Sequence, residues 1–417
     1  MNSSNHIEIS ANTTIGFLGA GQLARMSAAE VFRMGMKVSA YPGTASRSST
    51  GGSGRITDPT DSDESDNKSE NTGNFQPLEW MTPLRTPGAF DDRDALIRFA
   101  RQCTIVTLEN EFLDGSLLAD VEQASGTPIY PSPKTFSLLE SKWIEKETFS
   151  KAGIPVTPYR KVTCRDDLKE AGNAFGYPWV LKSSKGGYDG YGNVTIRSED
   201  QAVSAFQSLG GDDNRELIAE AFIPFRKELA VQVARNHHGT AVYPCCETIQ
   251  QGHICKTVIA PADIDPGIRD EACRISVDAV EAIDGRGLFA FEFFLSDDGR
   301  LLLNESAPRP HNSGHYSIEG CVTSQFENHI RAVMGLPLGS TEMRRPVAVM
   351  ENLLGFADAP AVVENSSDLF KSPDAHLHIY GKRDSKKGRK MGHITLLGEQ
   401  HKQTLSAVSD LAQQIRI

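Results

Sequence analysis

The chain has 417 residues, 39% hydrophobic and 23% charged, which is room and apolar material for two to four soluble domains. No run approaches the roughly 18 apolar residues of a membrane-spanning helix, and the polar first dozen residues lack the basic-then-apolar pattern of a secretory signal. Seven cysteines without a CxxC pair argue against a disulfide framework or a cysteine zinc site and fit a reducing cytoplasm, while a net charge of −11 argues against non-specific nucleic-acid binding.

Residues 14–18 (TIGFL) read as a buried strand, residues 22–36 as a helix and residues 38–41 as a second strand. This β-α-β opening predicts a parallel sheet. Residues 43–75 are rich in Ser, Gly, Asp, Thr and Asn and are expected to form a disordered acidic insertion. A helix is expected at 92–101, a strand at 104–108, and a boundary at Tyr130-Pro131-Ser132-Pro133. Beyond it the pattern predicts one helix over 134–152, strands at 178–182, 217–220 and 228–234, and a helix at 268–283. Strands at 288–295 and 300–305 flank Asp297-Asp298-Gly299. The last 70 residues read as a small module with strands at 347–353, 376–380 and 392–397.

Five constellations could carry chemistry. Gly19-Ala20-Gly21 follows a strand and opens a helix, which suits an anion, but the second strand ends in Tyr41-Pro42-Gly43 without the acid a dinucleotide site needs. Lys182 ends a strand and precedes four glycines within residues 186–192, where backbone could approach a phosphate closely; a glycine-rich hairpin beside a surface lysine is the plain alternative. If residues 297–300 form a four-residue hairpin loop, Ser296 faces Leu301 and Glu292 lies opposite Glu305, with Cβ atoms about 5 Å apart. Such a pair repels unless a cation lies between, and hard oxygens suit Mg²⁺. Asn304 then points to the other face unless a bulge turns it, and Phe289, Phe291 and Phe293 cover the side away from Glu292. Arg309, His311 and His315 follow in a loop beside the pair as anion and proton handlers. Finally, residues 382–390 carry six bases that could hold a phosphate monoester or simply form a solvated loop.

In this order the pieces resemble the 5-(carboxyamino)imidazole ribonucleotide synthase family of ATP-grasp enzymes. The matching strings are G-A-G-Q-L-A-R-M from Gly19, G-G-Y-D-G from Gly186, N-E-x-A-P-R-P-H-N-S-G-H from Asn304, and G-R-K-M-G-H from Gly388. The resemblance covers most of residues 14–400 outside the insertion. It implies an α/β chain with a Rossmann-like domain at 1–130, an ATP-grasp domain at 131–345 with a lid around 150–222, and a small β-rich domain at 346–417. It implies ATP-driven carboxylation of aminoimidazole ribonucleotide by bicarbonate through carboxyphosphate, in purine biosynthesis, by a homodimer. Lys142 and Lys182 would contact ATP phosphates, with Asn304 beside them. Glu220 and the backbone of Ala221, Phe222 and Ile223 would hold adenine, and Glu228 the ribose. Glu292 and Glu305 would bind Mg²⁺, with Mn²⁺ as an alternative, while Arg309 and His311 would handle bicarbonate with Lys182 at the phosphoryl group. Gln22, Tyr188, Asp189, Lys382, Arg389 and Lys390 would hold the ribonucleotide.

The chain departs from the family pattern in places. Tyr191 stands where an arginine is usual and cannot replace its charge. Lys142 stands where arginine is common, which keeps charge but loses the fork. The acidic strand-end motif is rearranged into Glu109-Asn110-Glu111-Phe112. Two other readings are another ATP-grasp ligase with a different acceptor, and a degenerate nucleotide-binding protein. The P-R-P-H-N-S-G-H string and the basic loop argue against the first. Intact Lys182, Glu292, Glu305, Arg309 and His311 argue against the second.

Overall fold

A computed structural model describes residues 7–43, 75–111, 113–186, 192–252 and 254–417. The expected disordered insertion therefore lies, but for its end residues, outside the described residues. Strands β1 (Thr14–Leu18), β2 (Lys37–Tyr41), β3 (Ile105–Leu108) and β4 (Ile129–Tyr130) alternate with helices α1 (Gln22–Arg33), α2 (Arg93–Ala100) and α3 (Gly115–Ser125). They form a parallel sheet in the order β2-β1-β3-β4. All five residues of β1 are buried, as expected when helices cover both faces.

The single helix expected over 134–152 is two helices, α4 (Pro133–Ser137) and α5 (Lys142–Lys151). Ser141 breaks it. Its backbone is extended, and its hydroxyl bonds Ser184 Oγ at 2.8 Å and Glu216 Oε1 at 3.0 Å. Lys142 N donates to Ser184 O, so α5 begins against the strand that carries Lys182. Next, β5 (Tyr159–Val162), α6 (Arg165–Phe175), β6 (Trp179–Ser183), β7 (Asn193–Ile196), α7 (Glu199–Ser208) and β8 (Leu217–Ala221) form an antiparallel sheet in the order β5-β8-β6-β7. Trp179, Leu181, Leu217 and Ala219 pack under α6 and α7 in one apolar cluster.

The largest sheet runs from β9 (Phe225–Asn236), β10 (Gly239–Val242), β11 (Cys246–Gln251) and β12 (Ile254–Ala260), past α8 (Pro266–Ala282), to β13 (Gly287–Ser296) and β14 (Leu301–Ala307). After α9 (Ser317–Gly320) and α10 (Gln325–Met334) it takes in β15 (Val347–Leu354). Then come β16 (Ala359–Pro360), β17 (Ala375–Ile379), β18 (Asp384–Ser385), β19 (Lys390–Gly398) and α11 (His401–Gln414). Its order is β14-β13-β9-β11-β12-β15-β19-β17, with β10 beside β9, while β16 and β18 pair separately. The C-terminal strands are thus not a free-standing sheet: β15 pairs with β12 and continues the central one.

Phe289, Phe291 and Phe293 bury on one face of β13 against Ile275, Ala279 and Val280 of α8, each contributing about 1.5–3 kcal/mol. The opposite face carries Glu292, as the alternation requires. Among the described residues no helix is long and apolar enough to cross a membrane, and none of the seven cysteines is in a disulfide.

One buried contact joins α10 to β3. Thr107 Oγ1 donates to Tyr130 O, so His329 Nε2, 2.9 Å from Thr107 Oγ1, donates to the Thr107 hydroxyl. His329 Nδ1 is buried with no partner, and burial lowers the imidazole pKa from 6.5 to about 4. The unfolded chain therefore binds this proton near pH 6.5, the folded chain only near pH 4. Stability is full above that window and falls as pH drops through it, by roughly 3 kcal/mol. Urea unfolding at pH 7 and pH 4.5 should show this loss, and His329→Gln should remove the His329 share of about 3 kcal/mol while leaving the share of the other buried imidazoles, His311, His315 and His393.

Candidate active site

Three pieces of chain converge at one cleft. The first is the turn after β1. Gly19 has φ +110, open to glycine alone, and a Cβ at Gly19 or Gly21 would strike the carboxylate of Glu109. Glu109 follows β3, and its Oε2 accepts from Gly21 N at 3.1 Å. The helix N-terminus expected to attract an anion is filled from within by this carboxylate, which leaves no place for a dinucleotide pyrophosphate there. Burial raises the Glu109 carboxyl, opposed by the Gly21 N–H and by Arg309 and Lys382 nearby. Gln22 is half-buried at the first position of α1. Arg25 Nη1 donates to Ile379 O at 3.0 Å and ties α1 to β17.

The second piece is the β13–β14 hairpin. Glu292 and Glu305 are direct partners, as expected, but by a different route. Ser296 N donates to Arg300 O, so the loop is the three residues 297–299, with Gly299 at φ +84. Leu295 then faces Leu301, one residue out of the expected register. Left uncorrected, that shift would send the two glutamates to opposite faces. A bulge at Asn304 restores the pairing. It also turns Asn304 inward, where its Oδ1 lies 3.4 Å from Lys182 Nζ.

The acids are unequally compensated. Lys142 Nζ donates to Glu305 Oε2 at 2.6 Å and holds that carboxyl well below the ordinary range. Burial, then the neighbouring Glu305 and Glu228, push Glu292 up. Burial also raises Glu228, which pairs with Phe294 in register and so shares the face of Glu292. Burial works against the Lys142 ammonium, but Glu305 and Glu145 outweigh it and raise its pKa.

Beneath the hairpin lies a buried ionic cluster in which Lys146 and Glu145, not expected from the sequence, join Glu220. Lys146 Nζ donates to Thr157 Oγ1 at 2.7 Å, Leu303 O at 3.1 Å and Asn304 O at 2.6 Å, and stands 3.8 Å from Glu220 Oε2. It thus holds the bulge in place. Glu145 Oε1 accepts from Ser306 N at 2.6 Å, just beyond the bulge. Burial pushes Glu145 up to about 7 and Lys146 down to about 8, each moderated by its opposite charges. Lys142, Glu145 and Lys146 stand at i, i+3 and i+4, one face of a helix, and that spacing was the available signal. Lys182 Nζ donates to Glu220 Oε2 at 3.0 Å, while Glu220 Oε1 is buried with no partner. Residues 221–223 follow it, and the Phe222 side chain is exposed.

The third piece is the 308–315 loop and the strand beside it. Arg309 Nη2 donates to Glu111 Oε1 at 2.7 Å, a partner the sequence reading left without a role. His311 Nε2 lies 3.5 Å from Glu292 Oε1, and its Nδ1 lies 2.7 Å from Ser313 Oγ. Burial, with Arg309 and Lys390 nearby, lowers His311 to about 3, so it is a neutral imidazole near pH 7. Lys390 opens β19 and moderates Glu292, and Lys382 lies near Glu109. Arg389 Nη1 donates to Asp384 O, and its Nε is buried without a partner. Tyr188, Asp189 and Tyr191 lie outside the described residues. Lys142, Lys182, Glu220, Glu228, Asn304, Arg309, His311 and Lys390 gather around the hairpin, and Lys382 lies by the glycine turn.

The donor chemistry fits a hard divalent cation at Glu292 and Glu305. Lys142 takes one oxygen of Glu305, which leaves Oε1 and the Glu292 carboxylate. Among the described residues no set of three or more metal-ligating side chains converges. The rest of such a cation's shell would come from water and substrate oxygens, as is usual for Mg²⁺.

Comparison with known proteins places this chain in a family. The ATP-grasp domain family matches residues 147–326, and the phosphoribosylaminoimidazole carboxylase C-terminal domain family matches residues 348–407. The chain is 36% identical to the N5-carboxyaminoimidazole ribonucleotide synthase of Synechococcus elongatus, over 94% of this chain and 91% of that protein. It is 37% identical to the phosphoribosylaminoimidazole carboxylase of Ogataea methanolica, over 93% of this chain. It spans only 66% of that protein's length, and 56% of the Schizosaccharomyces pombe carboxylase. The carboxyaminoimidazole ribonucleotide synthase of Aspergillus clavatus, solved with ATP, superposes with a TM-score of 0.81 at 32% identity, covering 98% of this chain and all of that one. The Aspergillus synthase has also been solved with ADP and 5-aminoimidazole ribonucleotide, with a TM-score of 0.79 at 31% identity over 97% of this chain and 99% of that one. At this identity, over nearly the whole length of both chains, the chain belongs to the N5-carboxyaminoimidazole ribonucleotide synthases of the ATP-grasp superfamily.

Proposed function

We propose that this chain carboxylates the amine of 5-aminoimidazole ribonucleotide with bicarbonate, at the expense of ATP, giving N5-carboxyaminoimidazole ribonucleotide, ADP and phosphate in purine biosynthesis. The observation that carries this reading is the convergence of Lys142, Glu292, Glu305 and His311 with Lys390 across the cleft. Seven cysteines kept as thiols, none in a disulfide, support a cytoplasmic setting. A homodimer and the three-domain division rest on the family resemblance.

Bicarbonate is a poor electrophile, and phosphorylation gives its carbon a leaving group. Lys182 and Lys142 supply fixed positive charge for the phosphoryl oxygens. The unpartnered Glu220 Oε1 and the backbone of 221–223 suit the adenine amino group, and Glu228 the ribose hydroxyls. A Mg²⁺ held by Glu292 and Glu305 would supply charge neutralisation at the phosphates. Arg309, fixed by Glu111, presents a planar fork to the carboxyl oxygens. Neutral His311 offers a hydrogen bond from Nε2 on the side of Glu292. Lys382, Arg389 and Lys390 suit the ribonucleotide phosphate, and the orphan Nε of Arg389 supports that assignment.

The direct test is ADP release with Mg-ATP and bicarbonate, with and without the ribonucleotide. Strong stimulation together with carboxylated product is expected, and turnover indifferent to the ribonucleotide would point to another acceptor. Glu305→Ala should lower ATP turnover by about 10²-fold or more, since it removes a charge-positioning group; intact turnover would end the metal assignment. Lys390→Ala should raise the ribonucleotide KM about tenfold or more while nucleotide binding persists, the loss expected for one charged hydrogen bond. Lys146→Met should cost about 3–5 kcal/mol in urea unfolding, because it leaves part of the Glu220 charge and two carbonyls unanswered.

A further inference from the structure

The 308–315 loop is pinned from two sides. On one, Gln325 of α10 accepts from His311 N at 3.0 Å and donates to His311 O at 2.8 Å. On the other, Asn312 and Asn352 exchange reciprocal amide hydrogen bonds, Asn312 Nδ2 to Asn352 Oδ1 at 3.0 Å and Asn352 Nδ2 to Asn312 Oδ1 at 2.7 Å. Asn352 is fully buried in β15, and its Nδ2 also donates to Cys255 O of β12 at 2.9 Å. Two residues further along β15, Leu354 faces Lys390 across the β15–β19 ladder. The amide pair is therefore a direct tie between the loop that carries Arg309 and His311 and the sheet that carries Lys390.

We propose that Asn352 is a positioning residue that, through Asn312, holds the carboxyl-handling loop in register with the ribonucleotide-holding strand. This inference rests on the function proposed above. In that reaction the amine nitrogen attacks the carboxyphosphate carbon, the carbon–oxygen bond to phosphate breaks, phosphate leaves with the electron pair, and the amine loses a proton. Carboxyphosphate is also open to water, which yields bicarbonate and phosphate with ADP already formed. A small misplacement of the two surfaces costs the bimolecular step far more than it costs the first phosphoryl transfer. Loss of the tie should therefore uncouple ADP formation from carboxylation rather than stop it. Among the described residues the Asn352 side chain hydrogen-bonds Asn312, Cys255 O and Tyr380, none of them assigned to the nucleotide, so nucleotide binding should be spared.

The experiment compares the intact protein with Asn352→Ala, Asn312→Ala and the double variant. It measures ADP, carboxylated product, and ADP affinity by calorimetry. Each single variant is expected to bind ADP as the parent does but to form about tenfold less product per ADP. The double variant should be no worse than either single one, because the two amides act as one unit. A product-to-ADP ratio unchanged in the single variants overturns the proposal, as does an additive loss in the double variant. If Asn352→Ala fails to fold, Asn312→Ala, on the partly exposed loop side, carries the same test. Absence of carboxylated product from the unaltered protein defeats the functional reading itself, and this inference with it.

Discussion

Two carboxylates set face to face in a partly exposed cleft, Glu292 and Glu305, are the constraint around which the rest of the molecule is arranged. Like charges at that spacing cannot both ionise without nearby positive charge. The fold supplies part of it through Lys142, whose helix starts where Ser141 docks on Ser184. The remainder falls on Glu292, which burial pushes toward its neutral form. A site so poised is incomplete by itself and suited to a cation that arrives with a nucleotide.

The bulge at Asn304 makes that constraint possible. The three-residue turn at 297–299 sets a register that would separate the glutamates, and one extra residue reverses the error. Lys146 holds the bulge from below through two carbonyls, and Glu145 takes the Ser306 amide beyond it. The cost of burying Lys146 and Glu145 is offset by these bonds and by Glu220. The same bulge turns Asn304 toward Lys182, so one irregularity aligns the paired acids and delivers a further polar group.

The cleft is also where distant parts of the chain meet. Glu109 seals the glycine turn after β1 and lies near Arg309 and Lys382. Arg25 ties α1 to β17, and Asn312 ties the Arg309 loop to β15. The pairing of β12 with β15 joins the C-terminal strands to the central sheet, so the basic loop is carried on the framework that carries Glu292. These are long-range contacts, and no local pattern encodes them.

The chain order of short motifs made the family, the parallel opening and most strands legible in the sequence by itself. Alternating phenylalanines at 289, 291 and 293 place Glu292 on the opposite face, because the side-chain period of a strand is two. Residue types at Glu305, Arg309, His311 and Lys390 name the chemistry for the same reason: carboxylate, guanidinium, imidazole and ammonium each have few roles. Only the tertiary structure decided the break at Ser141, the turn length, the bulge, the internal filling of the glycine turn by Glu109, and the Lys146 cluster. Apart from the turn, which closes on the local Ser296–Arg300 bond, each depends on partners between 11 and 161 residues away in the chain. Local propensity is blind to such partners, because the energy that selects each conformation is released only when the distant group arrives.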